Sequence, residues 1–142
     1  MAKARKDEDY EILALLDRTQ GVISKSRSKE LGISPIEATV LSAIEHITTE
    51  AIPAEISRRV FRQPHGVCTL LQRMEHKGLV KRDKNLGRKN LVRVTMTEKG
   101  QHCYYMLTRG ESIHRIMASL SEEEHQQLRS CLQKLHDKAL GF

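Results

Sequence analysis

The chain has 142 residues, 39% of them hydrophobic and 30% charged, with a net charge of +6, which is enough for one compact core with helical extensions. No apolar run approaches the roughly 20 residues needed to cross a bilayer, and the charged start Met1-Ala2-Lys3-Ala4-Arg5-Lys6-Asp7 leads into no apolar signal segment, so a cytoplasmic protein with no membrane partner is expected. Three scattered cysteines, Cys68, Cys103 and Cys131, make neither a disulfide framework nor a CxxC zinc site, and they suit a reducing compartment.

The first helix is expected from about Asp7 to about Lys29, with Ile12, Leu15, Leu16, Thr19, Val22 and Ile23 on one stripe and Asp7, Glu8, Asp9 and Glu11 near the positive end of its dipole. Ser34-Pro35-Ile36-Glu37 is a helix start, with Ser34 as N-cap, Pro35 at the first helical position and Glu37 reaching back to close a capping box. That second helix should run to about Ile47 and turn Val40, Leu41, Ile44 and Ile47 inward. A short third helix follows from Pro53 to Val60, with Ala54, Ile56 and Val60 inward and Arg58, Arg59 and Arg62 outside; both Arg58 and Arg59 can be ordinary solvated charges, a reading favoured for Arg58, and Arg62 is the better phosphate clamp.

After a tight turn, Pro64 opens a longer helix to Lys77. Val67, Leu70, Leu71 and Met74 fall at i, i+3, i+4 and i+7, one apolar stripe that must pack inward. Gln63, His65, Thr69, Gln72, Arg73 and His76 are left for solvent, and a helix of this width fits the DNA major groove. Gly78 suits a left-handed cap. Two β-prone runs, Leu79–Lys84 and Leu91–Thr95, then form a hairpin whose tip carries Lys84, Asn85, Arg88 and Lys89. A thin cationic projection beside a groove-reading helix is well placed for flanking phosphates or the minor groove.

Thr97-Glu98-Lys99-Gly100 begins another long helix, expected to reach about Leu120 with a possible bend at Gly110. Ser121-Glu122-Glu123-Glu124 is a second capping box, starting a final helix with Leu128, Leu132, Leu135 and Ala139 on one face. Long amphipathic helices at both ends exceed what one winged module needs, so they are assigned to dimerisation. The fold class expected is mainly α with a small β-hairpin: residues 1–33 an N-terminal dimerisation helix, 34–96 a winged helix-turn-helix, and 97–142 C-terminal dimerisation helices.

Charge supports a nucleic-acid partner. Residues 53–100 hold twelve Lys/Arg against four Asp/Glu, which leaves the rest of the chain slightly acidic, and a localised basic patch is the footprint of a polyanion. Gln63, His65 and Thr69 are the candidates for base edges, with Arg73 able to reach guanine or phosphate. Arg62, Lys84, Arg88 and Lys89 are the candidates for backbone or minor groove, and Gly66 would let the helix backbone approach DNA closely.

Other chemistry finds little material. The histidines form no HExxH or CxxC-linked site, and His102, Cys103 and His114 share only an approximate helix face, so no metal and no cofactor is expected. No Ser/His/Asp order, Gly-rich phosphate loop or carboxylate pair suggests an enzyme. Cys68 is expected to be a small, half-buried packing residue. The alternative is a winged helix serving as a protein-interaction module; it should show apolar residues where this chain has Arg73, Lys84, Arg88 and Lys89.

With those residues in view, the sequence resembles the MarR family of bacterial transcriptional regulators across nearly its full length. The run from Val67 to Val80 is similar to the family's recognition helix and its Gly-Leu-Val exit, Thr95-Met96-Thr97-Glu98-Lys99-Gly100 is similar to its "LTEKG" entry to the fifth helix, and Ser34-Pro35-Ile36-Glu37 with Val40-Leu41 is similar to its second-helix start. Two features depart from the pattern. The tip Asn85-Leu86-Gly87-Arg88-Lys89-Asn90 lacks the family's Asp before Arg88, and His65-Gly66 stands where small hydroxyl residues are common. The resemblance implies a homodimer built by the first, fifth and sixth helices, two winged modules on a pseudo-palindromic operator, repression of transcription, and release by a small phenolic or other anionic effector. Symmetry then puts the half-sites about 10 base pairs apart.

Overall fold

Local capping signals set where the helices begin. In a computed structural model of the chain, which describes residues 1–84 and 91–142, the helices are α1 (Ala2–Leu31), α2 (Pro35–His46), α3 (Pro53–Arg59), α4 (Pro64–His76), α5 (Glu98–Arg109), α6 (Glu111–Met117) and α7 (Glu122–Ala139), with strands β1 (Val80–Asp83) and β2 (Arg93–Met96) between α4 and α5. Both capping boxes form: Ser34 Oγ accepts the Glu37 N–H and Glu37 Oε1 accepts the Ser34 N–H, and Ser121 and Glu124 repeat the exchange. Pro35, Pro53 and Pro64 each take the first helical turn, where a missing N–H costs nothing. The α4 exit is a Schellman-type cap, with Gly78 at φ 77, its N–H bonded to Glu75 O and the Leu79 N–H to Met74 O, both at 2.9 Å.

The chain packs as two units, Met1–Leu107 and Thr108–Phe142. In the first unit, one core joins Val40, Leu41 and Ile44 of α2, Ile56 of α3, Val67, Leu70, Leu71 and Met74 of α4, Leu79, Val80 and Val94 of the hairpin, and Cys103 and Leu107 of α5. The strands pair antiparallel, Val80 opposite Met96 and Asp83 opposite Arg93. Val94 N–H also donates to Ala51 O at 2.7 Å, so the segment before α3 flanks the outer edge of β2. In the second unit, α6 and α7 border a groove floored by Met117, Leu128 and Leu132.

Several expectations need adjusting. The first helix starts at Ala2, so Asp7 to Glu11 lie inside it and its first turn carries no acid. Ala54 is exposed and Ser57 is buried beside Ile56 on α3, its hydroxyl satisfied by Ala54 O at 2.9 Å. The expected helix from Thr97 to Leu120 is two helices, because Gly110 adopts φ −64, ψ 147; that extended ψ interrupts the helical hydrogen-bond ladder and makes Gly110 the N-cap of α6. Cys68 is exposed, one position past the edge of the buried α4 stripe.

Candidate nucleic-acid interface

The α4 stripe read from the sequence is the buried one: Val67, Leu71 and Met74 are wholly inaccessible and Leu70 nearly so. Burying four residues at that spacing turns the opposite face outward, and Gln63, His65, Gly66, Thr69, Gln72, Arg73 and His76 are all exposed. Of this face, only Thr69 makes a side-chain bond to its own helix, a long one from Oγ1 to His65 O at 3.3 Å. Arg73 and Arg62 have no ion-pair partner among the described residues, whereas Arg58 and Arg59 both bond Glu55, at 3.0 and 4.0 Å.

The start of α4 is equally open. Gln63 occupies the N-cap position with no side-chain cap bond, so the His65 and Gly66 N–H groups, at the positive end of the helix dipole, are free for an anion. A Cβ added at Gly66 would meet nothing within 4 Å, so the protein's own packing does not require glycine there. In the turn before Gln63, Phe61 holds φ 54 and is 92% exposed. Sequence reasoning did not single out this residue, and its only signal was a bulky side chain in a tight turn.

At the wing, the sequence placed cations but not their partners. Lys81 and Lys84 point to solvent. Arg82 instead turns back to α4, with its Nη2 3.0 Å and Nε 3.2 Å from Glu75 Oε1 and its backbone N–H 3.0 Å from Glu75 Oε2. The Arg82 side chain and backbone N–H, helped by the charge of Lys84, hold the Glu75 carboxyl below its usual range. Arg93 is occupied too, bonding Glu50 at 2.7 Å. Asn85, Arg88 and Lys89 lie outside the described residues.

The joint between α4, the hairpin and α5 is tightly bonded. Thr97 Oγ1 donates to Gly78 O, the Thr97 N–H donates to Leu79 O at 3.1 Å, and Lys99 Nζ reaches Lys77 O at 2.9 Å. Lys77 Nζ meets Glu37 Oε1 at 2.8 Å. Burial opposes ionisation of Glu37, but Lys77 and the Ser34 donors outweigh it and leave its carboxyl below the ordinary 4.5.

Residues 31–89, which hold this whole surface as far as the wing, match the MarR family. The transcriptional repressor MdtR of Bacillus subtilis (strain 168) is 24% identical over 94% of this chain and 86% of its own length. Over residues 31–89 the chain is similar to the MarR family. A MarR family protein from Bacillus stearothermophilus superposes with a TM-score of 0.81 over 99% of both chains at 22% identity, which shows the shared fold. The organohalide-sensing RdhR-CbdbA1625 transcriptional regulator, in its 2,4-dichlorophenol-bound form, matches with a TM-score of 0.74 and 26% identity over 93% of this chain and 81% of that one. Within the chain, Thr97 and Gly100 of the Thr-Glu-Lys-Gly run bond or closely pack against the carbonyls of Gly78 and Leu79 just after α4, which gives that motif a physical reason.

Proposed function

We propose that the protein is a homodimeric repressor that reads a pseudo-palindromic operator through α4 and releases it when a small-molecule effector binds. The observation that carries this reading is the division of α4 into one fully buried face and one exposed polar face with an uncapped N-terminus. Gln63, His65 and Thr69 contact base edges, Arg73 reaches guanine or phosphate, and Gly66 lets the backbone close in. Arg62, Lys84, Arg88 and Lys89 hold the phosphate backbone or minor groove.

Residues 34–96 are the reading module, and residues 1–33 and 97–142 build the dimer. Support for the dimer comes from apolar side chains without a cover, among them Ile12 and Leu15 on α1, 62% and 58% exposed, and Leu135 on α7, 49% exposed. Arg129 rims the α6–α7 groove, complementary in charge to the acidic stretch Asp7–Glu11 of another copy. The repressor assignment and the effector follow the roles named for the B. subtilis relative and the dichlorophenol-bound regulator.

Selection of a randomised duplex library by the purified protein near physiological salt tests the reading. An inverted repeat with half-sites about 10 base pairs apart is the expected product. Retention only of sequence-independent duplexes, lost on adding salt, would instead favour a protein-interaction module. On the recovered duplex, Arg88→Ala should weaken binding to all sequences and reduce the salt slope by about one, whereas Thr69→Ala should relax preference at one position per half-site, by about 1 kcal/mol. Titrations at several salt concentrations on matched and mutated duplexes measure both.

A further inference from the structure

Glu75 stands on the last turn of α4, beside the proposed reading face, yet its carboxylate is spent on one residue of the wing. Its two oxygens collect three donors from Arg82: the backbone N–H, Nε and Nη2, at 3.0, 3.2 and 3.0 Å. Arg82 sits opposite Val94 in the ladder, and both residues turn their backbone N–H groups to the outer edges of the hairpin. Glu75 accepts one and Ala51 O the other. The base of the wing is thereby clamped on both sides at a single level, one residue pair before the last described pair of the ladder. On the α4 side the clamp is a planar guanidinium against a carboxylate, a geometry that fixes orientation as well as distance.

We propose that Glu75 is a positioning residue for DNA recognition, setting the angle between wing and recognition helix through Arg82, and that Arg82 is committed to this clamp rather than to phosphate. The proposal rests on the DNA-binding reading above. It makes a prediction whose sign differs from that of simple electrostatics. Removing a carboxylate from a DNA-facing module should tighten binding through reduced repulsion, whereas loosening the clamp should weaken it, because the wing contacts no longer arrive together with those of the helix.

The test uses the full-length protein and the duplex recovered by selection. Glu75→Gln should bind about tenfold more weakly with an unchanged salt slope, while its melting temperature stays within a few degrees of the parent, since the Glu75 side chain is 38% exposed. Arg82→Lys keeps the charge and loses the fork; it should weaken binding to a similar degree, and the double variant should be no worse than the weaker single one. Binding by Glu75→Gln as tight as the parent or tighter would overturn the proposal, as would an Arg82→Lys protein that binds like the parent, or an Arg82→Ala protein whose salt slope falls by about one. Failure of the parent itself to select any duplex would remove the DNA-binding reading and this proposal with it; a parent that selects an operator beside an unaffected Glu75→Gln removes this proposal alone.

Discussion

Replacing Gly100 by alanine is expected to destabilise the protein by about 3 kcal/mol and to lower its melting temperature by roughly 10 °C. Gly100 is the third residue of α5, a helical position where alanine would ordinarily gain about 1 kcal/mol over glycine. Here a Cβ would fall inside the contact distance of the Leu79 carbonyl oxygen and 3.1 Å from its carbonyl carbon. Those are backbone atoms of a residue only 1% exposed, whose oxygen also accepts the Thr97 N–H, so neither partner can move without loosening the α4–β1–α5 joint. Gly66 supplies the contrast, because a Cβ there meets nothing. Gly66→Ala should leave the melting temperature unchanged or raise it while reducing affinity for the selected duplex. Thermal unfolding followed by circular dichroism checks both variants; a Gly100→Ala protein that melts with or above the parent would show that the close approach is not limiting.

The elements that could be read from the sequence are those specified over three or four residues. The two capping boxes, the proline starts, the Gly78 exit and the α4 stripe all formed where their spacing put them, because each depends on neighbours along one helix. The exposed face of α4 followed from the same periodicity, and so did the exposure of most candidate site residues. What the sequence could not show depends on residues brought together by packing. Arg82 fell only within the β-prone run Leu79–Lys84, since nothing local couples it to Glu75 across a helix end and a turn. Glu37 read only as a capping residue; its ion pair with Lys77, at a separation of 40 positions, exists because α2 packs against the exit of α4. Gly110 read as a bend, and only the structure shows its extended ψ dividing the helix.

Lys77→Met is expected to cost about 2 kcal/mol at neutral pH, less than the largest losses seen for broken buried pairs because the Lys77 side chain itself is 40% exposed. The loss arises on the other partner. The Glu37 side chain is 2% exposed, its Oε2 has no hydrogen bond among the described residues, and without Lys77 the carboxylate keeps only its Ser34 contacts. The pH dependence follows from the direction of the shift. In the parent, Glu37 is held below the ordinary 4.5, so the pair contributes fully above that pH and its contribution is lost as pH falls through the lowered folded value. In Lys77→Met, burial is opposed only by the Ser34 hydrogen bonds, so the Glu37 carboxyl rises relative to the parent, and the variant takes up a proton at higher pH and is relieved of its buried charge. The gap in melting temperature between parent and variant should therefore be widest near neutrality and shrink as the pH falls through the variant's raised carboxyl range toward the parent's lowered one. Adding Glu37→Gln to Lys77→Met should recover part of the loss at neutral pH and leave a melting temperature nearly independent of this site's protonation. A gap that stays constant from neutral to acid pH would mean that Lys77 stabilises through its packed methylenes, not its charge, and that the exit of α4 is not tied to α2 by an ion pair.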